Sequence, residues 1–202
     1  MEIIVRDRGL VPYLPLYREM QQFTAERHPA TPDEIWLLQH PPIFTRGLNS
    51  KGHHLLNPGT IPVVAIDRGG DVTYHGPGQW IAYLLLDLRR CKMGVRQLVS
   101  ILENSVIALL EDLGLSGAAR KEAPGVYIAS KKIASLGLRV RRQGCYHGMS
   151  LNCEMDLTPF SRINPCGQPG LQVTDLANEG VKNPLDAGRT LLLHHLLQQL
   201  SP

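Results

Sequence analysis

The chain has 202 residues, of which 43% are hydrophobic and 19% are charged, with a formal net charge of +3. These values are ordinary for a soluble globular protein, and we expect residues 1–202 to form a single domain. The charge is too small to predict a nucleic-acid-binding face, and no stretch approaches the roughly 20 apolar residues of a membrane span. The N-terminal segment lacks the pattern of a signal peptide, so we expect reduced cysteines and a cytoplasmic protein.

The periodicity of apolar residues predicts helices alternating with groups of strands. The clearest helix covers residues 95–113, where eight aliphatic side chains follow one stripe and Gly114 is a suitable stop. We assign this helix to the core and predict no chemistry for it. Before this helix we predict, in chain order, a strand at 3–6, a helix at 15–27, a strand at 35–39, an extended segment at 43–47, a polar loop at 49–58, and buried strands at 61–66 and 80–86. After it we predict strands at 125–129, 132–141 and 146–155, and a last helix at 185–200. This order indicates an α+β fold.

A glycine-rich segment at residues 68–79 connects the two predicted buried strands. Glycine allows unusual backbone angles and lets another molecule approach the main chain closely. A tight structural corner is the simpler interpretation, but Arg68, Tyr74, His75 and Gln79 supply more hydrogen-bonding groups than a corner requires. The segment therefore predicts one wall of a pocket.

Cys166 is a candidate nucleophile because it lies between Pro165 and Gly167 in a predicted turn, where its thiol is accessible. A thiolate is a strong nucleophile, and a neighbouring cation favours that form of a cysteine. A structural role for Cys166 remains equally open on these grounds, whereas Cys91 and Cys153 are predicted to be buried structural residues.

Lys132 is the candidate cation beside this cysteine. Strand alternation places Lys131 and Lys132 on opposite faces, so only one of them can point into a given pocket. Both lysines could also be solvated at the end of a hairpin. His75 and His147 each follow tyrosine and precede glycine, which suggests that two loops approach one site.

Cys145, His147, Cys153 and Cys166 have side chains that can bind zinc, but their spacing does not match the usual ligand pairs. We therefore predict no metal site. The phosphate-binding glycine loop and the serine elbow of hydrolases are also absent from the sequence.

Taken together, several segments resemble the lipoyl(octanoyl) transferases in their order and spacing. The resemblance extends over nearly the whole chain, and its segments are residues 39–47, 68–79, 123–127, 132–137, 147–152 and 164–167. It implies an α+β domain with a mixed, mostly antiparallel sheet flanked by helices, similar to the catalytic domains of biotin and lipoate ligases.

The resemblance implies transfer of an octanoyl group from acyl carrier protein to a lysine of a lipoyl domain, without a cofactor or metal. It assigns Cys166 as the residue that carries the acyl thioester and Lys132, not Lys131, as its partner. The acceptors it implies are lipoyl domains of 2-oxoacid dehydrogenase E2 subunits and the glycine cleavage H protein. The substrate-binding residues it implies are Arg68, Gly69, Gly70, Asp71, Val72, Thr73, Tyr74, His75, Ser135, Leu136, Gly137, Gly148, Met149 and Ser150.

Two other functions must be considered. An ATP-dependent lipoate or octanoate ligase would share the fold and the glycine-rich segment but would have little use for Cys166. A non-catalytic module would only dock the carrier or lipoyl domains. Arg139, Arg141 and Arg142 are candidates for contact with an acidic carrier protein, since two of them share a strand face.

Overall fold

A mixed seven-stranded sheet forms the centre of the fold in the computed structural model, which describes residues 3–142 and 144–201. Its strands lie in the spatial order β1-β2-β6-β10-β9-β8-β7, and a smaller sheet has the order β4-β3-β5. In the large sheet β1 and β2 are parallel, and every other neighbouring pair is antiparallel. The strands are β1 Ile3–Leu10, β2 Asp33–Gln39, β3 Ile43–Arg46, β4 Val63–Ala65, β5 Val72–His75, β6 Gln79–Leu85, β7 Gly117–Ala119, β8 Gly125–Ile128, β9 Lys131–Arg141 and β10 Gly144–Asn152.

Helices cover both faces of the large sheet. Helix α1, Tyr13–Ala25, packs with one face of β6, while α2, Val95–Asp112, and α3, Pro184–Leu200, pack with the other. Alternation along β6 explains this division, because Ile81 and Tyr83 face α1 whereas Ala82 and Leu84 face the other two helices. None of the helices in the described part of the chain has the length and apolar content needed to cross a bilayer.

The prediction of an α+β fold with a mixed, mostly antiparallel sheet is confirmed, as are all three helices. Helix α2 matches its predicted limits closely, and Gly114 follows it with a left-handed φ of 73°. The last long strand is shorter than predicted, because β10 ends at Asn152 rather than at residue 155.

Two predictions around the glycine-rich segment were wrong, and one strand elsewhere was missed. The run at 61–66 is not a buried strand: β4 is the partly exposed edge of the small sheet, and Val63 is 37% exposed. The segment 68–79 is not one continuous turn, because β5 lies within it and pairs with β3. Strand β7 was not predicted, since two of its three residues are alanine.

Candidate active site

Cys166 lies on a tight turn of Pro165–Gly167, with φ 56° and ψ 23°. The left-handed region is unfavourable for a residue with a side chain, and such strain is concentrated at functional sites. Two hydrogen bonds hold the turn: Gly167 N–H donates to Asn164 O at 2.9 Å, and Asn164 N–H donates to His54 O at 2.8 Å. The resulting thiol is half-buried and lines a cavity.

Lys132 is almost completely buried, and its amine approaches this thiol. The distance from Lys132 Nζ to Cys166 Sγ is 3.0 Å, and Nζ also donates to Pro124 O at 2.8 Å. Lys131 points the other way, is half-exposed and lies 3.8 Å from Glu179. The two lysines therefore face opposite sides, as strand parity predicted, and the one that the family resemblance selected lies beside Cys166.

The absence of a side chain at Gly125 creates the space that Lys132 occupies. A Cβ atom added to Gly125 would lie 2.4 Å from Lys132 Cε and 2.5 Å from Ala134 O, and φ there is +135°. Both the clash and the backbone angle exclude larger residues. The Pro124–Gly125 segment therefore lies against the end of the lysine side chain, at Cε and Nζ.

The cavity beside Cys166 has a volume of about 320 Å³. Its walls come from the loop before β5, from β5 itself, from β9 and β10, and from residues 122–124. Thirteen of the fourteen predicted substrate-binding residues line it: Arg68, Gly69, Gly70, Asp71, Val72, Thr73, His75, Ser135, Leu136, Gly137, Gly148, Met149 and Ser150.

Tyr74 is the exception among the predicted substrate-binding residues. Its ring packs against Phe44 and Phe160, with ring centroids 5.4 and 5.5 Å away. These rings belong to a separate core cluster beside the small sheet. Alternation along β5 explains the difference, because Tyr74 points away from the face that Thr73 and His75 present to the cavity.

Arg68 places a buried guanidinium in the cavity wall. It donates to Gly69 O, Thr45 O and Thr45 Oγ1, each at 2.9 Å. Gly137 makes room for it, since a Cβ there would lie 2.9 Å from Arg68 Cδ. Burial lowers the pKa of Arg68 from its ordinary value, but an arginine of such high basicity stays charged at neutral pH.

Two neutral histidines form a cluster with tyrosine rings at another part of the cavity, where His75 lines the wall and His40 lies behind it against His75 and Tyr13. His75 is stacked on Tyr13 and hydrogen-bonds through Nδ1 to Gln79 Oε1 at 2.7 Å. His40 donates through Nδ1 to Val11 O at 2.6 Å. Burial lowers the pKa of His75 to about 3 and that of His40 to about 4.

His147 lines the same cavity from within the predicted strand at 146–155, and not from a loop as the repeated Tyr-His-Gly tripeptide had suggested. It is within β10 and has φ 61°, which interrupts the alternation and turns its ring toward Tyr17 of α1. Its Nε2 approaches Asp67 Oδ1 at 3.8 Å, while Tyr17 and Tyr146 donate hydrogen bonds to the same carboxylate at 2.7 and 2.5 Å. Burial alone would raise the pKa of Asp67, but these contacts hold it well below its usual range.

The other cysteines lie in different surroundings. Cys145 and Cys153 are fully buried in the core beneath α2 and α3, and burial raises the pKa of each thiol to about 12. Cys91 is half-buried rather than buried, and lies 3.6 Å from Asp33 Oδ2. Within residues 3–142 and 144–201, no three His, Cys, Asp or Glu side chains are grouped as a metal site would require.

Sequence reasoning missed several cavity residues. Tyr13 and Tyr83 come from elements that read as ordinary core, and no local pattern distinguished them. Gln168 directly follows the turn that carries Cys166, so its place at the cavity could have been predicted from the sequence. The remaining residues of this kind are Ile81, Val95, Val99, Glu122, Ala123, Pro124 and Leu138.

Comparison with known proteins agrees with this geometry. An octanoyltransferase of Pseudomonas entomophila is 53% identical over 97% of this chain and 91% of its own length. One from Hahella chejuensis is 58% identical over 86% of this chain and 78% of its own.

Solved structures show the same fold at low identity. A lipoate-protein ligase A bound with ATP superimposes with a TM-score of 0.79 at 15% identity, covering 99% of this chain and 86% of its own. The biotin protein ligase of Aquifex aeolicus superimposes with a TM-score of 0.57 at 11% identity, and the match covers 99% of this chain and 68% of the ligase chain. The family model described as "Lipoyl protein ligase A/B catalytic domain" matches residues 15–196, and the chain belongs to this family.

Proposed function

We propose that this protein is an octanoyltransferase that moves an octanoyl group from acyl carrier protein to a lysine of a lipoyl domain. The contact that supports this best is the 3.0 Å approach of Lys132 Nζ to Cys166 Sγ at the wall of a cavity. The names of the curated relatives give the same activity. We propose further that the whole chain is one catalytic domain and acts in the cytoplasm.

In the first step, the Cys166 thiolate attacks the carbonyl carbon of the octanoyl thioester. The new carbon–sulfur bond replaces the bond to the carrier sulfur, which leaves as a thiolate and takes a proton from the Lys132 ammonium. One thioester is exchanged for another, so the step is close to energetic balance and needs no ATP. Lys132 is now neutral and remains beside the acyl sulfur.

In the second step, the amine of the acceptor lysine attacks the acyl carbon. Neutral Lys132 accepts the proton that this nitrogen loses, and the Cys166 thiolate is released as the amide forms. Lys132 is suited to both steps because its amine is buried and has the two neighbours Pro124 O and Cys166 Sγ. The exchange of thioester for amide is favourable and makes the sequence irreversible in practice.

The acyl chain is proposed to lie along the glycine-containing walls of the cavity. Gly137 and Gly148 are opposite each other in the β9–β10 pair, and both line the cavity together with Leu136 and Met149. The thirteen lining residues that were predicted from the family resemblance are proposed as the substrate-binding residues. Tyr74 is proposed to act through packing alone, because its ring faces the opposite side.

The proposed acceptors are lipoyl domains of 2-oxoacid dehydrogenase E2 subunits and the glycine cleavage H protein. For the acidic carrier, Arg141 and Arg142 are exposed near the end of β9, whereas Arg139 lies 3.4 Å from Asp67. We therefore expect Arg141 and Arg142 to contribute most to carrier binding. A salt titration of the apparent affinity tests this contact, and a flat response would contradict it.

Intact-protein mass spectrometry tests the proposed reaction. The protein is mixed with octanoyl carrier protein and no acceptor, and we expect one octanoyl group per chain, mapped to Cys166 by peptide analysis. Adding a lipoyl domain should remove it and produce octanoylated acceptor. A Cys166→Ala variant that still modifies the acceptor from free octanoate and ATP would instead support a ligase, and absence of any acyl adduct would support a docking module.

A further inference from the structure

A single carboxylate of helix α2 contacts the segment that borders Lys132. Glu103 is half-buried on this helix, and its Oε1 accepts a hydrogen bond from the backbone N–H of Gly125 at 2.9 Å. Gly125 itself is buried, so its N–H would be costly to leave without a partner. The contact joins helix α2 to the segment at the edge of the cavity, which Val95 and Val99 of the same helix also line.

The segment held by Glu103 touches Lys132 in two places. Pro124 O accepts the hydrogen bond from Lys132 Nζ, and Gly125 lies where the lysine Cε passes. A shift of this short segment would therefore move the amine relative to Cys166 Sγ, which is only 3.0 Å away. Pro124 O and Gly125 N–H belong to the same peptide group, so one planar unit accepts the hydrogen bond from Lys132 and donates the one to Glu103.

On its C-terminal side this segment continues into β8, where Gly125 is paired with Ser135 of β9. On its N-terminal side the contacts are local: Tyr127 donates to Ala123 O at 2.9 Å, and Ala123 N–H donates to Arg120 O at 3.2 Å. Glu103 belongs to a separate element, packed into the main core through Leu102 and Val106 on either side. It is therefore placed to fix the segment against the body of the protein.

We infer that Glu103 is a positioning residue, which fixes the Pro124–Gly125 segment and through it the distance between Lys132 Nζ and Cys166 Sγ. This role requires a side chain at position 103 that carries a hydrogen-bond acceptor and is long enough to reach the N–H of Gly125. The inference rests on the Cys166–Lys132 pair of the proposed function.

The test measures the alkylation rate of Cys166 by iodoacetamide as a function of pH, followed by mass spectrometry of the peptide that contains this residue. Glu103→Asp keeps the charge but is too short to reach Gly125 N–H. We expect the pH of half-maximal rate to rise by about half a unit, because a displaced ammonium favours the thiolate less. Glu103→Gln keeps an acceptor at the same reach and should show less than half of that rise.

Octanoyl transfer should fall in the same order, by about tenfold for Glu103→Asp at neutral pH and by less for Glu103→Gln. Glu111→Asp is the matched control, because Glu111 is exposed on the same helix. The groups Arg68, Asp71, His75, Glu122 and His147 also face the cavity, and Tyr127 lies beside Lys132; all are unchanged in the three variants.

An unshifted profile for Glu103→Asp, with wild-type protein that is acylated normally, would overturn the inference and leave the proposed function intact. Equal shifts of the half-maximal pH in Glu103→Asp and Glu103→Gln would also overturn it, because the hydrogen bond to Gly125 N–H would then not be the cause of the shift. A loss of thermal stability without a change in the profile would show a purely structural contact and would also overturn it. Failure of wild-type protein to acquire an octanoyl group would instead contradict the proposed function.

Discussion

Two sets of titratable groups lie in or directly behind the cavity wall, and they differ in the partners that surround them. Lys132 and Cys166 are in contact, and the lysine amine has a carbonyl oxygen as its second partner. His40 and His75 have neutral hydrogen-bond partners and no countercharge, so burial keeps both imidazoles uncharged at neutral pH. Titratable residues beside a cavity are therefore not equivalent. Proton transfer requires two such groups in contact, as Lys132 and Cys166 are, whereas an apolar acyl chain packs more favourably against uncharged rings.

The largest effect is expected at the thiol of the reactive pair. Cys166→Ala removes the only atom proposed to hold the acyl group, so transfer should fall by about 10⁴-fold or more. Octanoylation assays with carrier protein and lipoyl domain measure this loss. Cys153→Ala is the matched control: its thiol is fully buried, and we expect normal transfer with about 1–2 kcal/mol less stability. Equal loss in both variants would contradict the assignment of Cys166.

The two adjacent lysines provide the next test. Lys132→Ala should lower transfer by about 10²- to 10⁴-fold, because the proton donor and acceptor of both steps is lost. Lys131→Ala should change the rate by less than about twofold, since this side chain is half-exposed and makes a weak contact with Glu179. Steady-state transfer rates with both variants decide the point. Similar losses would show that strand parity does not determine which lysine acts.

A smaller loss is expected when the space for Lys132 is filled. Gly125→Ala places a methyl group against Lys132 Cε and Ala134 O at a backbone angle that alanine rarely adopts. We expect about tenfold slower transfer and about 2 kcal/mol lower stability. Gly94→Ala is the control, because among the described residues, apart from its two chain neighbours, no atom lies within 4 Å of its added Cβ. Normal transfer by Gly125→Ala, measured with the same assay, would contradict the proposed packing role.

The sequence predicted the parts of this arrangement that depend on local pattern. Helix α2 was recognised because its aliphatic stripe is long and ends at Gly114. Strand alternation placed Lys131 and Lys132 on opposite faces, and the family motif selected Lys132. The contact between Lys132 and Cys166 joins residues 34 positions apart, so no local rule could give its distance. Only the family resemblance brought these two residues together before the structure did.

Other features were hidden because local composition was misleading. Strand β5 is four residues long and is surrounded by glycine and proline, so the segment read as a turn. The apolar run at β4 read as buried, although it forms the edge of the small sheet. Glu103 lies beside the apolar stripe of α2, where an acidic residue ordinarily faces solvent, and nothing in the sequence connects it with Gly125. Each of these depends on packing between distant segments.

The smallest effect concerns the neutral histidines. Burial lowers the pKa of His75 to about 3 in the folded protein, whereas a histidine in the unfolded chain has a pKa near 6.5. Between these two pH values the unfolded chain is protonated at this residue and the folded protein is not. Stability should therefore fall as pH drops below 6.5, by on the order of 2 kcal/mol per histidine at pH 5.

Urea unfolding at pH 7 and pH 5 measures this decline. We expect it to be shallower in His75→Gln, which has no titrating ring, than in wild-type protein. The control is His28→Gln, where the exposed ring should leave the decline unchanged. An equal decline in wild type and His75→Gln would mean that His75 accepts a proton in the folded state. The cavity wall would then carry a charge at pH 5, and the contrast between a partnered lysine and neutral imidazoles would no longer hold there.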